Sequence, residues 1–183
     1  MNTNSGKLRQ KLKFNKFPFG VYLLLVAVIV VFFAATQGTI SPAHLMNIVR
    51  QSAPLGVAAM GQTIVLLVGG IDLSVGATMS MVNLVAASVM GGSDAQILPA
   101  LLICMALCLL VGLLNGYIIA TFKMQPFLVT MAMSMIIEGG YYIYTKGIAK
   151  GSIATGIRFI SEGWIGIVPI AAIIWLVIWL VLS

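Results

Sequence analysis

The residues with the clearest chemistry in this sequence are carboxylates set among apolar segments, and Asp72 is the first of them. It stands in residues 69–76 (GGIDLSVG), between two apolar runs. Gly69 and Gly70 break a helix there, and the backbone groups that the break frees need partners within the protein wherever lipid replaces water. Asp72 and Ser74 are both good helix N-caps and can satisfy freed N–H groups. The other interpretation is an interrupted helix that lines a polar pathway, in which Asp72 accepts hydrogen bonds from solute hydroxyls.

Glu138 is the second carboxylate, and it lies well inside another apolar run, in residues 134–140 (SMIIEGG). An ionisable group at membrane depth is costly and tends to face a bundle interior or water. The position therefore predicts a place along a polar pathway. Two alternatives stay open: Glu138 pairs with a polar group on another helix, or it lies nearer the membrane interface.

A Gly-x-x-x-Gly spacing at Gly112 and Gly116 surrounds Asn115 in a third apolar run. Small residues one turn apart allow two helix backbones to approach closely, so the spacing predicts helix packing. Asn115 is then expected to hydrogen-bond across that helix contact. The candidate pathway residues are thus Asp72, Ser74, Asn115 and Glu138.

Motifs of the common enzyme classes are missing from the sequence. It has one histidine, no Gly-x-Ser-x-Gly, no phosphate-binding P-loop and no Cys/His cluster at metal-ligand spacing. Cys104 and Cys108 share one face of an apolar helix, which is typical of small packing residues. The sequence therefore predicts no catalytic residue, no metal site and no cofactor. An intramembrane enzyme stays open only through Asp72 and Glu138, as a catalytic pair at depth.

Composition identifies the solvent in which the chain folds. Of 183 residues, 61% are hydrophobic and 8% are charged, and the mean hydropathy is +1.11. A soluble domain carries roughly 25% charged residues and needs polar groups to cover its surface. Lipid accepts such an apolar surface, so the sequence predicts an all-α, polytopic transmembrane helical bundle.

Six apolar runs are each close to the length of about 20 residues that a membrane crossing needs. Residues 37–50 are polar and contain a helix-start signal at Ser41 and Pro42, so a short amphipathic helix or a loop is expected there. Residues 145–162 form a long polar connection. A basic tail covers residues 1–17, and the transmembrane domain of residues 18–183 has predicted spans at 18–36, 52–69, 75–90, 97–122, 127–144 and 164–182.

Charge places the N-terminus on the cytoplasmic side, because five basic residues precede the first apolar run. Nucleic-acid binding is the weaker explanation, since no aromatic residues alternate with these charges. Six crossings put six basic residues inside, five plus Lys123, and four outside. A re-entrant hairpin in place of the second and third spans would put eight basic residues inside and two outside. The lengths of those two apolar runs nevertheless favour six crossings. The five basic residues of the tail are Lys7, Arg9, Lys11, Lys13 and Lys16.

Four segments, taken in order, resemble one protein family. Residues 61–76 (GQTIVLLVGGIDLSVG) look like the signature stretch of permease subunits from ribose/galactose/xylose-type ABC sugar importers. Three shorter segments follow in the same order: residues 112–116 (GLLNG), 125–130 (QPFLVT) and 142–147 (YIYTKG). The glycine–aspartate string is the specific one, and the other three support it by their order.

The resemblance implies an all-helical permease subunit with about ten spans. In that family, two permease subunits form the pathway, cytoplasmic ATPase subunits supply the energy, and an extracytoplasmic sugar-binding protein delivers the substrate. The chain is then expected to be the truncated N-terminal portion of a permease in the bacterial inner membrane, in contact with lipid and with no nucleic-acid partner. Two alternatives stay open: a small membrane anchor or assembly subunit that transports nothing, and an intramembrane enzyme.

Overall fold

The computed structural model describes residues 16–35 and 41–182, with side chains from Phe19 onward. The predicted basic tail lies outside these residues, apart from the backbone of its last two. Within the described ranges the chain forms seven α-helices, one 3₁₀ turn and one two-stranded antiparallel hairpin. The prediction of an all-α fold is confirmed.

The chain contains two compact units, Met1–Leu45 and Met46–Ser183. In the first unit, α1 is an apolar helix whose described side chains are all exposed. The elements in chain order are α1 (Lys16–Ala35), α2 (Pro42–Leu67), α3 (Val75–Met90), the 3₁₀ turn Asp94–Gln96, α4 (Ile97–Phe122), α5 (Pro126–Thr145), α6 (Thr155–Glu162), β1 (Trp164–Ile165), β2 (Val168–Pro169) and α7 (Ile170–Leu182).

Helix α2 differs from the segment that the sequence predicts. A separate short helix or loop over residues 37–50, followed by a span from residue 52, is wrong, because one helix begins at Pro42 and continues to Leu67. Backbone hydrogen bonding does not depend on side-chain polarity, so a helix can extend beyond its apolar part. Pro54 lies inside α2, and membrane helices tolerate such a proline because neighbouring groups satisfy the freed backbone.

The last predicted span is wrong at its start. Residues 164–169 form the β1–β2 hairpin, in which Trp164 pairs with Pro169, and the helix begins only at Ile170. The polar connection predicted over residues 145–162 also contains the short helix α6. By contrast, α3 and α4 have the bounds predicted for the third and fourth runs, and α5 is one residue longer at each end.

Among the residues that the structure describes, two helical stretches are long and apolar enough to cross a bilayer by length and composition: Asp94–Phe122 and Pro126–Thr145. Shorter apolar helical stretches lie at Phe19–Ala35, Val75–Met90 and Ile170–Leu182. These findings agree with an all-α membrane bundle. The count of six crossings stays a prediction.

Helices α3, α4 and α5 pack together around a core of Ala77, Met133 and Ile137. The contacts of α3 give their directions. Asn115 and Cys104 of α4 contact Ser74 and Val82 in reverse order, whereas Thr130 and Tyr144 of α5 contact Leu73 and Ser88 in the same order. Helix α4 therefore runs antiparallel to α3, and α5 runs parallel to it. We call the end at which α3 and α5 begin the break end, and the opposite end, with the 3₁₀ turn, the loop end.

The connection from α5 to α6 is pinned to the loop end by backbone contacts. The Ser152 N–H donates to the Ala87 carbonyl at 3.1 Å, and the Gly92 N–H donates to the Ser152 carbonyl at 2.9 Å. Gly151 has φ +97° and lies directly against the Ala87 backbone. This connection therefore follows the end of α3 closely, without the slack of a free loop.

Helix α6 is held at the same end by a carboxylate from another element. The Asp94 Oδ1 atom accepts the Gly156 N–H at 2.8 Å and so caps the first turn of α6 from the 3₁₀ turn. Ala154, just before α6, is fully buried against Met90 and Ala100. Polar and apolar contacts together thus fix the position of α6.

Candidate functional site

The site is the non-helical segment between α2 and α3, where the chain leaves one apolar helix and enters the next. Helix α2 closes with two backbone bonds: the Gly69 N–H donates to the Leu66 carbonyl at 2.9 Å, and the Gly70 N–H donates to the Val65 carbonyl at 3.0 Å. Gly69 has φ +85°, a left-handed conformation that glycine adopts without the usual steric cost. The chain therefore leaves helical geometry at these two glycines.

Asp72 caps the start of α3. Its Oδ1 atom accepts the Ser74 N–H at 2.7 Å and the Ser74 hydroxyl at 2.6 Å. Ser74 itself makes no side-chain capping bond, so of the two predicted caps only Asp72 performs that role. Two donors thus converge on one carboxylate oxygen, which fixes the orientation of the Asp72 side chain.

Thr130, in the first turns of α5, connects that helix to the break. Its Oγ1 atom accepts the Leu73 N–H at 3.0 Å and lies 3.1 Å from the Ile71 carbonyl and 2.9 Å from the Pro126 carbonyl, either of which its proton can reach. Thr130 is 2% exposed. One buried hydroxyl thus serves backbone groups of the break that have no helical partner.

Gln62, one turn and a half before the end of α2, reaches the same segment. With its amide nitrogen donating to the Asp72 carbonyl and its amide oxygen accepting the Asp72 N–H, both separations are 3.2 Å. A side-chain amide matches a peptide group in this paired arrangement because each offers one donor and one acceptor. In that amide orientation Gln62 holds the Asp72 backbone, while Ser74 holds the Asp72 carboxylate.

Asn115 of α4 completes the group. Its Nδ2 atom donates to the Ser74 Oγ at 3.1 Å, and its side chain is 5% exposed. Its Oδ1 atom is buried and finds no hydrogen-bond partner among the residues that the structure describes. A buried acceptor without a partner is uncommon in folded proteins and is often found at functional sites.

These five side chains form what we call the break cluster: Gln62, Asp72, Ser74, Asn115 and Thr130. They come from α2, α4, α5 and the break itself, and they satisfy the backbone groups of residues 71–74 that helix geometry leaves free. A carboxylate, hydroxyls and amides at one place can donate and accept hydrogen bonds with a polar solute. The cluster contains no basic side chain.

The structure brings together three of the four predicted pathway residues: Asp72, Ser74 and Asn115. Sequence reasoning missed Gln62 and Thr130 as members. Both stand in the segments that carry the family resemblance, residues 61–76 and 125–130, and this was the only signal that could have indicated them.

Glu138 lies apart from the break cluster. It is exposed on α5, eight residues beyond Thr130, which is about 12 Å along the helix axis. Asp72 and Glu138 are therefore not the juxtaposed pair that an intramembrane enzyme would need.

Gly112 and Gly116 are exposed on α4, and no other helix among the described residues comes within 4 Å of the positions where their side chains would begin. A cavity of about 330 Å³ opens between α3, α4 and α5, but its lining is almost wholly apolar and includes Met81, Leu110 and Ile137. This cavity therefore offers few polar groups to a solute, and none of the break cluster residues lines it.

The fold and the break cluster together define a helical membrane protein with a polar interruption inside an apolar bundle. The chain belongs to the family described as branched-chain amino acid transport system, permease component, whose model matches residues 44–183. The predicted resemblance to a family of transport permeases is confirmed.

Individual relatives are named as sugar permeases. The ribose import permease protein RbsC of Escherichia coli is 33% identical over 150 residues, which are 78% of this chain and 45% of that protein. RbsC of Bacillus subtilis is 32% identical over 160 residues, 85% of this chain and 48% of that protein. The xylose transport system permease protein XylH of Haemophilus influenzae is 31% identical over 179 residues, which are 90% of this chain and 47% of that protein. The chain thus spans about half the length of these relatives. No solved structure gave a significant match.

Proposed function

We propose that this chain forms part of the transmembrane permease of an ATP-driven monosaccharide importer, and that the break cluster belongs to the translocation pathway. One observation carries the proposal: Asp72, Ser74 and Asn115 converge at an interrupted helix inside an apolar bundle. Transporters place their solute sites where discontinuous helices present polar groups at membrane depth.

A sugar is favoured over an amino acid as the solute. The relatives are named as ribose and xylose permeases, whereas the family description names branched-chain amino acids. A branched-chain amino acid carries both an ammonium group and a carboxylate, and the break cluster offers a carboxylate for the first but no basic side chain for the second. Sugar hydroxyls donate and accept hydrogen bonds, which suits the mixed donors and acceptors of Asp72, Ser74 and Asn115.

The proposal includes an assembly and a topology. A second permease subunit completes the pathway, cytoplasmic ATPase subunits supply the energy, and an extracytoplasmic sugar-binding protein delivers the solute. With six crossings and a cytoplasmic N-terminus in the bacterial inner membrane, the break end and Lys123 face the cytoplasm, and the loop end faces outward.

The unpartnered Asn115 Oδ1 atom supports a cluster that changes during transport. Alternating access requires at least two arrangements of the same helices. In this arrangement the Oδ1 atom is buried, with no donor among the described residues. A second arrangement in which the break opens would supply one, either from the solute or from water.

Three other predicted residues keep subsidiary places in the proposal. Glu138, exposed on α5, stays a candidate pathway group. Gly112 and Gly116, exposed on α4, are proposed to pack against a helix from a second subunit, because their small side chains allow close approach.

The test of the proposal is sugar uptake by the complete transport system carrying Asp72→Ala. The substitution removes the acceptor of two short hydrogen bonds from Ser74, so we expect uptake to fall by at least about tenfold. Uptake of radiolabelled ribose, xylose and galactose is measured in cells without other routes for these sugars. It is normalised to the amount of permease in the membrane, and labelled leucine is measured in parallel.

The matched control is Asp94→Ala, because Asp94 also caps a helix with its carboxylate but does so at the loop end. Asp94→Ala is expected to keep most of the uptake per permease molecule. Normal uptake by Asp72→Ala at normal abundance would remove Asp72 from the pathway. Leucine uptake without sugar uptake by the unmodified protein would overturn the choice of solute.

A further inference from the structure

The two ends of the bundle of α3, α4 and α5 are held by different kinds of links. At the break end, hydroxyl and amide groups of the break cluster join the start of α3 to α4 and α5. At the loop end, the links include bonds between backbone groups and close steric contacts. Water and hydroxyl-bearing solutes offer the same donors and acceptors as a hydroxyl or an amide. The links at the break end are therefore the ones that such a molecule can replace.

The link between α5 and the break is exchangeable at Thr130. Its hydroxyl has one proton, and two carbonyl oxygens compete for it: Ile71 in the break at 3.1 Å and Pro126 in its own helix at 2.9 Å. A threonine in a helix ordinarily donates to a carbonyl of that helix. If α5 parts from the break, Thr130 therefore keeps an acceptor in Pro126. The Leu73 N–H and the Ile71 carbonyl are the groups that then need new partners.

A second feature of the break end is the Asn115 Oδ1 atom, which is buried with no donor among the described residues. Because these residues themselves enclose the atom, a segment elsewhere in the protein cannot reach it unless the arrangement changes. Within the described part of the loop end, by contrast, no buried side-chain oxygen or nitrogen lacks a hydrogen-bond partner. An unsatisfied buried acceptor raises the free energy of the arrangement that contains it. It therefore favours a change at the break end.

The loop end has no comparable freedom. Ser152 shares backbone hydrogen bonds with Ala87 and Gly92, at 3.1 and 2.9 Å. Ala100 at the start of α4 and Ala154 just before α6 are both fully buried in one apolar cluster. The end of α3, the start of α4 and the connection between α5 and α6 are thus fixed to one another. Separating them would break backbone bonds and apolar packing together.

We infer that the bundle opens at the break end, where the start of α5 parts from the break, while the loop end stays closed and acts as the pivot. Opening exposes the backbone of residues 71–73 and the Asn115 amide to a solute hydroxyl or to water. The inference rests on the proposed function, because it takes the break cluster to lie on the route of a solute. It does not depend on which solute that is.

Two engineered disulfides test which end opens. At the break end, a Cβ atom added at Gly70 lies 3.4 Å from the Pro126 Cβ atom, so Gly70→Cys with Pro126→Cys joins the break to α5. At the loop end, a Cβ atom added at Gly92 lies 2.8 Å from the Ser152 hydroxyl oxygen. There, Gly92→Cys with Ser152→Cys joins the end of α3 to the connection between α5 and α6. Both pairs are close enough for a disulfide. Each is made in a protein whose two natural cysteines are replaced by alanine.

The first measurement is uptake of labelled ribose or xylose by the complete transport system before and after oxidation, corrected for the fraction of permease that is cross-linked. Each variant is compared with itself after reduction by dithiothreitol, so a loss caused by the substitutions alone cancels. We expect the break-end disulfide to lower uptake at least about tenfold and the loop-end disulfide to change it less than about twofold. A loop-end disulfide that stops uptake overturns the inference, and so does a break-end disulfide that leaves uptake unchanged.

The second measurement decides the matter if a double variant transports nothing even when it is reduced. The rate of disulfide formation is followed in the purified transport system, without nucleotide and with ATP plus vanadate, which traps one stage of the ATP cycle. We expect the rate at the break-end pair to differ at least about fivefold between the two conditions, and the rate at the loop-end pair less than about twofold. Equal rates at the break-end pair, or a larger change at the loop-end pair, overturn the inference.

Failure of the inference and failure of the proposed function give different results. If the unmodified system takes up leucine and no sugar, the proposed solute is wrong, and the two disulfides are then tested on leucine uptake. If the unmodified system takes up sugar and the loop-end disulfide stops that uptake, the proposed function stands and the inference fails.

Discussion

Replacing Thr130 by valine is expected to destabilise the protein by about 2–4 kcal/mol, although the two side chains have nearly the same shape. The substitution removes the acceptor of the part-buried Leu73 N–H and a donor that the Ile71 and Pro126 carbonyls share. The groups left behind face the place of the Thr130 hydroxyl, which is 2% exposed, so they recover hydrogen bonds poorly there. The loss is measured as the change in the free energy of unfolding of the purified protein in detergent. Unfolding is driven by heat or by denaturant.

Two controls separate the hydroxyl of Thr130 from its shape and from its helix. Thr130→Ser keeps the hydroxyl and removes one methyl group, so a loss of no more than about 1 kcal/mol is expected. Thr145→Val is made in the same helix, where the hydroxyl bonds the Tyr141 carbonyl four residues earlier and serves no break. That substitution is expected to cost less than about 1 kcal/mol. An equal loss for Thr130→Val and Thr145→Val would show that Thr130 does not hold the break.

The break cluster also shows why part of the site could be predicted from the sequence. Asp72 and Asn115 are conspicuous because strongly polar residues are rare in apolar runs, and membrane burial gives each of them a reason to find a partner. Ser74 could be predicted as a site residue because it stands at a helix start. Their types alone therefore indicated a polar site, and the structure shows that the three side chains meet.

Thr130 could not be predicted in the same way. A threonine in an apolar helix ordinarily bonds a carbonyl of its own helix, so its residue type indicates nothing beyond that. Its contact with Leu73 joins residues 57 apart in the chain, and no local pattern specifies such a pairing. Glu138 is the opposite case. Its rarity in an apolar run made it a candidate, but rarity does not give its position relative to Asp72.

Helix bounds were predicted well where apolar runs end at turn residues and poorly elsewhere. Helices α3 and α4 end at such residues, Gly91 and Lys123, both in left-handed conformation. Helix α2 continues through polar residues that hydropathy counts as loop. Residues 164–169 are apolar enough to resemble part of a span, and short apolar runs do not distinguish strand from helix. Gly166 and Pro169 were the signals that argued for a turn there.

Replacing Gly151 by alanine is expected to have the second large effect, at the opposite end of the bundle from Thr130. A methyl group at this position would overlap the carbonyl oxygen and carbon of Ala87, and the φ of +97° is itself strained for alanine. The connection between α5 and α6 must then move away from α3. It loses the hydrogen bonds that join Ser152 to Ala87 and Gly92. We expect a local cost of about 3 kcal/mol or more.

Trypsin measures this cost directly, because Lys150 lies beside Gly151 and is cleaved only when the loop opens. If cleavage follows the population of the open form, a cost of about 3 kcal/mol accelerates it roughly 100-fold. Gly166→Ala is the matched control, since it also has positive φ (+64°) but no atom within 4 Å of the added methyl group. It should cost only about 1 kcal/mol of backbone strain and leave the rate at Lys150 nearly unchanged. Similar rates for Gly151→Ala and the unmodified protein would mean that the loop does not depend on its contact with Ala87. Rapid cleavage would show that one close backbone contact, which only glycine permits, keeps the connection between α5 and α6 on the end of α3.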